Sequence, residues 1–405
     1  MRHFNYLSHE EEEQLFFSLP VSFTNFSDKA ILSYAVGAAL YMPATKPNFA
    51  DDILSAKHPG LVSLVIDLED AVGDNQVNMA EEMLCRQLHK VASLLKTGAV
   101  SYEHIPLLFI RVRSPKQLKQ LIDSLEKTIE IVTGFMLPKF SLEYGRQYFE
   151  IINQYNMDKD SKAPILYGMP ILETSNVIYR ESRSHTLLEI KQLLNEYKEY
   201  VLNVRIGATD FSSLFGLRRS PDMTIYDIGV IRDCISDIIN VFGRVEDQFV
   251  ISGPVWEYFK SNRVLKTQLR QTPFEETAGK LGRRLRMEYI NVYVDGLIRE
   301  VAMDKENGII GKTIIHPTHI LPVQSLYVVT HEEYLDATNI IANNNGCLGV
   351  LKSQYANKMN EIKPHMSWAE RIMTRSKVYG VLNENTNFTS LLFEQGGIEH
   401  EHAFV

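Results

Sequence analysis

Residues 63–70 read SLVIDLED, a short apolar run that ends in acidic side chains. Near-continuous apolar runs of about four to eight residues, without strict alternation, are typical of strands that are buried on both faces. Eight such runs occur along the chain, and amphipathic segments with helical periodicity lie between them. The runs are residues 39–45, 63–70, 107–113, 133–139, 165–173, 203–210, 248–255 and 313–317.

Eight strand-plus-helix units predict a parallel sheet, and eight is the number that closes a TIM (β/α)8 barrel. Two of the intervening helices are predicted at residues 115–131 and 186–200, where leucine and isoleucine recur every three or four positions. An open, doubly wound sheet is the alternative architecture. The barrel is therefore the predicted fold class.

The two ends of the chain do not follow the repeat. We assign an N-terminal extension to residues 1–37, the barrel to 38–320 with an insertion at about 256–305, and a C-terminal helical cap and tail to 321–405. The acidic run Glu10 to Glu13 predicts a solvated N-terminal helix, whose neighbouring phenylalanines pack on the barrel. Further helices are predicted at 332–343 and 368–382, and residues 383–405 are predicted to form a mobile tail or lid.

Composition excludes several classes of function. The 405 residues contain 42 Lys and Arg against 50 Asp and Glu, a net charge of −8, which disfavours general nucleic-acid binding because that activity needs a dominant basic face. Only three widely spaced cysteines occur, so no zinc motif is present and a reducing compartment is expected. No apolar run reaches the ~18 residues of a membrane helix, and the polar N-terminus is unlike a signal peptide. We therefore expect a cytoplasmic protein without membrane contact.

Ionisable residues collect at the carboxyl ends of the predicted strands, which is where TIM barrels place their catalytic groups. One polar residue at a strand end is ordinary, because the chain is leaving the core there. Several carboxylates and cations at one rim instead predict a bound metal or an anionic substrate. These residues are Glu69, Asp70, Arg111, Arg113, Lys139, Glu173, Asp210 and His316.

Seven motifs in order carry a family resemblance. They are LYMPATKP at 40–47, DLEDAV at 67–72, IRVR at 110–113, LPK at 137–139, PILET at 170–174, IGATDFSSLFG at 206–216 and GIIGKTIIHP at 308–317. Over residues 38–320 the chain resembles the citrate lyase β-subunit and malyl-CoA lyase family, the HpcH/HpaI aldolase superfamily. Within it, the chain is most similar to a divergent branch of TIM-barrel C–C bond lyases associated with tellurium-resistance gene clusters.

The resemblance implies a Mg²⁺-dependent lyase, with Mn²⁺ as the alternative metal. Such an enzyme forms or cleaves a carbon–carbon bond between an enolate and an α-keto or aldehyde fragment. A coenzyme A thioester is one candidate source of the enolate. The implied partners are a small anionic substrate and further copies of the chain in a homo-oligomer.

The family motifs assign roles to individual residues. Glu173 and Asp210 match the two metal-ligating carboxylates, and Mg²⁺ prefers oxygen ligands of this kind. Arg111 matches the arginine that holds a substrate oxygen, while Glu69 and Asp70 match the acidic pair that orients the metal's waters. Lys139 matches a supporting lysine, which pairs with an acid.

Four further cations are predicted to bind the substrate. Lys46 stands where the family has an arginine, and Arg113 stands where it has an asparagine. Arg218 and Arg219 follow Asp210 closely and are expected to bind an anionic group. Residues 261–288 contain seven Lys or Arg against three acids, and they are either a phosphate or coenzyme A site or a solvated helix.

Two alternatives stay open. A Schiff-base aldolase could use Lys139, because a buried strand-end lysine can have a lowered pKa. A non-catalytic barrel could serve as a scaffold or a partner-binding module in a stress-response system. Nucleotide binding is excluded on motif grounds, since neither G-x-G-x-x-G after a strand nor G-x-x-x-x-G-K-[ST] occurs.

Overall fold

Eight parallel strands form a single sheet in the computed structural model, which describes residues 1–259 and 295–392. We number these strands β1 Ala38–Pro43, β2 Ser63–Asp67, β3 Leu107–Arg111, β4 Val132–Leu137, β5 Tyr167–Leu172, β6 Val204–Ile206, β7 Ile251–Ser252 and β8 Lys312–Ile314. Every residue of β2, β3 and β4 is buried, as the continuous apolar runs predict.

The sheet closes into a ring. Each strand pairs with the next one in the chain, and β1 pairs with β8 in parallel. Between β7 and β8, the Gly253 N–H donates to the Gly311 carbonyl at 2.9 Å, and the Thr313 N–H donates to the Gly253 carbonyl at 3.3 Å. The TIM-barrel prediction is therefore confirmed, and the open sheet is excluded.

Helices surround the barrel. They are His9–Leu15, Lys29–Ala35, Phe49–Leu54, Val77–Lys96, Pro115–Leu125, Leu142–Asp158, Ser175–Ile178, Arg180–Glu196, Ala208–Ser213, Gly229–Phe242, Asp295–Glu306, Ile320–Tyr327, His331–Ala342 and Ile362–Tyr379. The helix Pro115–Leu125 shows why they form: the Ser114 side chain accepts from the Gln117 N–H, and proline occupies the first turn. Its leucines at 118, 121 and 125 are buried against the barrel. None of the described helices is long and apolar enough to span a bilayer.

The N-terminal extension covers the barrel face opposite the carboxyl ends of the strands. Asn25 Nδ2 donates to the Glu130 carbonyl at 2.8 Å, just before β4. Phe16 and Phe23 are buried as predicted, whereas Phe17 and Phe26 are exposed. The predicted solvation of the acidic run is wrong for Glu12, which is buried in an ion pair with Arg2.

The C-terminal region packs on the same side. The predicted helices are confirmed at His331–Ala342 and Ile362–Tyr379, which pack against each other. Antiparallel strands Phe16–Ser18 and Val381–Leu382 join the two extensions, and Val350–Lys352 pairs with Met359–Glu361 in a hairpin.

The prediction of a mobile tail is wrong for residues 383–392. Leu391 and Leu392 are buried, and the Tyr6 hydroxyl donates to the Leu391 carbonyl at 2.9 Å. Residues 393–405 and the basic segment 261–288 lie outside the described residues.

A buried ion cluster ties β8 to the helix Asp295–Glu306. Lys312 Nζ lies 2.9 Å from Glu300 Oε1 and 2.8 Å from Asp304 Oδ2, and all three side chains are fully buried. The Tyr226 hydroxyl donates to Asp304 at 2.6 Å, and the Ile225 N–H donates to Glu300 at 2.7 Å. The cluster therefore fixes the loop before residue 229 to the last barrel strand.

Candidate active site

A cavity of about 400 Å³ opens at the carboxyl ends of the strands. Other cavities of about 510 and 580 Å³ lie away from this mouth and lack its strand-end residues. The ionisable and hydroxyl side chains that line the mouth are Tyr41, Asp67, Asp70, Arg111, Glu173, Thr209, Asp210, Arg205 and Thr313. Of the predicted catalytic and metal-binding residues, four thus line the mouth: Asp70, Arg111, Glu173 and Asp210. Glu69 and Lys139 do not line the cavity but contact residues that do.

Arg111, the last residue of β3, is surrounded by carboxylates. Its Nη2 lies 2.5 Å from Glu69 Oε2 and 2.8 Å from Asp70 Oδ2, and its Nη1 lies 3.3 Å from Asp67 Oδ2. Asp67 is the register partner of Arg111 across β2 and β3, which explains their contact. Burial alone would lower the pKa of Arg111, but Asp67 and the other nearby acids raise it. The guanidinium is therefore charged and held rigidly.

Lys139 follows β4 and contacts the same acidic group. Its Nζ forms an ion pair with Glu69 and lies 3.5 Å from Asp70 Oδ1. Burial acts to lower the pKa of Lys139, but the hydrogen bond to Glu69 and the charges of Glu69 and Asp70 outweigh it and raise the pKa. A raised pKa keeps the ammonium protonated, which argues against a Schiff-base nucleophile.

Glu173 is the most strongly perturbed acid of the mouth. It follows β5, is 4% exposed, and accepts a hydrogen bond of 2.6 Å at Oε1 from the Lys139 N–H. Burial and the nearby charge of Asp210 raise the pKa of Glu173 to about 8, although Arg111 opposes the shift. Proximity of a second carboxylate to a buried one favours the binding of a cation.

Gly207 makes room for this carboxylate. A Cβ atom at position 207 would lie 2.3 Å from Glu173 Oε2 and 2.5 Å from Glu173 Cβ. Any side chain there would collide with Glu173. The glycine that follows β6 is therefore required by the close approach of Glu173.

The donor set fits magnesium. Among residues 1–259 and 295–392, no three His, Cys, Asp or Glu side chains form a complete metal cage. Mg²⁺ does not need one, because it keeps several waters and commonly takes one or two protein carboxylates. Glu173 and Asp210 supply two such carboxylates at the mouth, whereas a structural zinc site would need four protein ligands.

The family model described as C–C bond lyase of the TIM-barrel fold matches residues 30–381. The chain belongs to this family. No curated protein matches the sequence.

Comparison with solved structures finds similarity at low sequence identity. A citrate lyase from Burkholderia xenovorans is 13% identical, with 88% of this chain and 95% of that chain covered at a TM-score of 0.55. A Mycobacterium tuberculosis CitE in complex with magnesium, acetoacetate and coenzyme A is 17% identical, with 84% and 97% covered and a TM-score of 0.48. A citrate lyase β subunit from the same organism, complexed with oxaloacetate and magnesium, is also 17% identical, with 73% and 98% covered at 0.44.

The cavity at the mouth is not lined by the four cations that the sequence assigns to substrate binding. Lys46 pairs with Asp52 at 2.8 Å, and Arg218 is exposed to solvent. Arg219 is buried in an ion pair with Glu300, with its guanidinium 4.6 Å from the centroid of the Trp256 ring. It braces the loop after Asp210.

Arg113 and His316 have local roles. Arg113 Nε donates to the Leu68 carbonyl at 2.7 Å, and its Nη1 lies 2.6 Å from Asp74 Oδ1. It therefore clamps the loop that follows β2. His316 Nδ1 lies 2.8 Å from Thr318 Oγ1, and the imidazole stacks on Phe259.

Three ionisable residues that line the barrel mouth are missing from the sequence prediction. Asp67 is the last residue of β2, whereas Arg205 and Tyr41 lie within β6 and β1, and all three line the cavity. An arginine in the middle of the buried run 203–210 is a signal that could have identified Arg205.

Proposed function

We propose that the chain is a Mg²⁺-dependent lyase that forms or cleaves a carbon–carbon bond between an enolate and an α-keto acid or aldehyde. Glu173 and Asp210 hold the metal. The observation that carries this proposal is the buried Glu173 carboxylate, whose pKa is raised by burial and by Asp210. When bound, magnesium offsets the paired acids and supplies Lewis-acid stabilisation of negative charge on a substrate oxygen.

The acids beside Arg111 have divergent proton affinities. Burial raises the pKa of Glu69. Burial by itself would raise the pKa of Asp70. Its hydrogen bond with Glu69 and the charges of Arg111 and Lys139 outweigh burial and lower the Asp70 pKa below its usual value. Groups whose environments push their pKa values apart are suited to acid and base roles. Asp70, which lines the cavity, is the ionised member and accepts a proton or orients a water there.

Arg111 and Lys139 keep this acidic group in place. Arg111 forms ion pairs with Asp67, Glu69 and Asp70. Lys139 forms an ion pair with Glu69 through its side chain, and its backbone N–H donates a hydrogen bond to Glu173. Rigid support of this kind preorganises a site before substrate binds. A coenzyme A thioester stays a candidate enolate source, and the homo-oligomer and the cytoplasmic location stay predictions.

Proton exchange tests the proposal without knowledge of the natural substrate. An enzyme that forms an enolate exchanges the methyl protons of pyruvate or acetyl-CoA with D2O, which NMR detects. We expect Mg²⁺-dependent exchange that EDTA and the substitution Glu173→Gln abolish. Exchange that continues unchanged in EDTA would refute the metal role, and a scaffold protein would show no exchange with either compound.

A further inference from the structure

Arg205 is a charged side chain in the interior of the barrel. It is the middle residue of β6, is 1% exposed, and lines the cavity of the mouth. Its Nη2 donates to Thr313 Oγ1 at 2.7 Å, so the side chain connects β6 to β8 across the interior past β7. It therefore lies beneath the residues that line the rim.

The guanidinium of Arg205 is incompletely paired. Nε and Nη1 are buried and have no hydrogen-bond partner among the described residues, and Nη2 is used by Thr313. The Tyr41 phenol lies close enough to interact with the guanidinium, but burial raises the pKa of Tyr41, so the hydroxyl is neutral and brings no negative charge. Burial lowers the pKa of Arg205, and Tyr41 partly offsets that effect. An unpaired buried cation is strongly unfavourable unless an anion joins it.

Arg111 differs from Arg205 in this respect. Three carboxylates already surround the Arg111 guanidinium, so its charge is compensated by the protein itself. Arg205 has no carboxylate partner within residues 1–259 and 295–392. Of the two arginines that line the cavity, Arg205 is thus the one with charge available for a ligand.

Strand register gives the depth of this cation. Arg205 is the register partner of Ile171, which precedes Glu173 by two residues on β5. Two residues of a parallel strand correspond to roughly 6.6 Å, so the backbone of Arg205 lies about that distance deeper in the barrel than the backbone of Glu173. We use the term floor for the inner part of the cavity, which Arg205 and Thr313 line.

We propose that Arg205, oriented by Thr313, binds a carboxylate of the substrate on the floor of the barrel. The substrate class is a small acid whose carboxylate enters the barrel before the rest of the molecule. This inference rests on the proposed function for the identity of the ligand as a substrate. It makes Arg205, rather than Arg111, the residue that selects for an acid.

Calorimetric titration in EDTA tests the floor site without the metal. The probes are pyruvate and the neutral methyl pyruvate, and the variants are Arg205→Met and Arg205→Lys. Arg146→Met is the control, because Arg146 is exposed and does not line the cavity. We expect wild type to bind pyruvate at least tenfold more tightly than methyl pyruvate. Arg205→Met should abolish that preference, Arg205→Lys should retain part of it, and Arg146→Met should leave it unchanged.

Thermal unfolding of the free protein gives a second readout. Because an unpaired buried charge is removed, Arg205→Met should melt at the same temperature as wild type or a few degrees higher. A large fall in melting temperature, or failure to fold, would show a structural role and overturn the inference. Thr313→Val, which keeps the charge and removes its orienting oxygen, should weaken pyruvate binding several-fold, and no change would also count against the proposal.

The two proposals fail separately. If Arg205→Met binds pyruvate as wild type does while Glu173→Gln loses Mg²⁺ binding, the floor site is wrong and the metal site stands. If Glu173→Gln binds Mg²⁺ normally while the preference for pyruvate still depends on Arg205, the metal site is wrong and the floor site stands.

Discussion

The backbone N–H of Lys139 donates a hydrogen bond of 2.6 Å to Glu173 Oε1. Lys139 has a φ of 46°, in the left-handed region that favours glycine, and its side chain reaches Glu69. A non-glycine residue in this region is held there by its surroundings. One strained residue thus couples the metal-binding carboxylate to the acidic group around Arg111.

Replacement of Lys139 by methionine should separate these two connections. The backbone hydrogen bond to Glu173 is retained, so Mg²⁺ affinity should change less than about threefold. Loss of the ammonium leaves Glu69 paired with Arg111 but without its second cation, and methyl-proton exchange should slow by about 100-fold, as for the loss of an acid–base group. Calorimetry and NMR measure the two effects, and borohydride treatment of wild type with pyruvate should leave no adduct. A stable adduct at Lys139 would restore the Schiff-base alternative.

Substitution of the metal carboxylates should remove Mg²⁺ binding and leave the fold intact. We expect Glu173→Gln and Asp210→Asn each to weaken Mg²⁺ by at least about 30-fold in calorimetry, because Mg²⁺ depends on one or two protein carboxylates. Asp233→Asn is the matched control, since Asp233 is exposed and its ion pair is with the neighbouring Arg232. Unchanged affinity in both site variants would exclude this pair as the ligands.

Stability of the metal-free protein should depend on pH through Glu173. Its pKa rises from an ordinary 4.5 to about 8 in the folded state, so the folded state binds a proton that the unfolded state has released between those values. The contribution of Glu173 to stability is therefore complete below about pH 4.5 and is lost as pH rises towards 8. Melting temperatures measured in EDTA from pH 5 to 8.5 should show this decline, and Glu173→Gln should flatten it. Added Mg²⁺ should raise the melting temperature more at pH 8 than at pH 6, because the carboxylate must be ionised to bind it.

Alanine at position 207 should disturb the site by collision. Its Cβ would lie 2.3 Å from Glu173 Oε2, so Glu173 must move. We expect a loss of about 1–3 kcal/mol in the free energy of unfolding, the usual range for overpacking, together with weaker Mg²⁺ binding. Gly73→Ala is the control, because its Cβ would meet only Gln76 Oε1 at 3.9 Å. Urea denaturation that finds the two variants equal in stability would contradict the predicted contact.

Lys312 should matter for stability because it compensates two buried acids. Lys312→Met leaves Glu300 and Asp304 without their shared cation, and breaking a buried ion pair in this way costs about 3–5 kcal/mol. Lys57→Met removes an exposed ion pair with Asp52 and should cost less than about 1 kcal/mol. Urea denaturation measures the free energy of unfolding of both variants. A small loss of stability for Lys312→Met would contradict the prediction and show that Glu300 and Asp304 become protonated at little cost.

Local hydrophobicity is enough to predict the barrel, since burial on both faces leaves a continuous apolar run for each strand. Local hydrophobicity does not define where each strand begins and ends. The predicted run 248–255 contains only the two-residue strand Ile251–Ser252, because pairing depends on where the neighbouring backbone lies.

Motifs place Glu173, Asp210 and Arg111 at the barrel mouth, but they do not reveal which basic side chains are left unpaired and can bind a ligand. Arg219 is buried beside Glu300, 81 residues later in the chain, and this pairing depends on how distant segments pack. Arg205 lies inside a run of apolar residues, so attention to strand ends alone passes over it.

The junction between the two extensions has a consequence for synthesis of the chain. Asn383 donates to the Gln14 carbonyl at 2.8 Å, across 369 residues of sequence, and Phe16 pairs with Leu382. These contacts cannot form on the ribosome until residues 382 and 383 have emerged. Residues 14 and 16 therefore reach their final place only late in synthesis, long after the neighbouring segments that precede the barrel have been made.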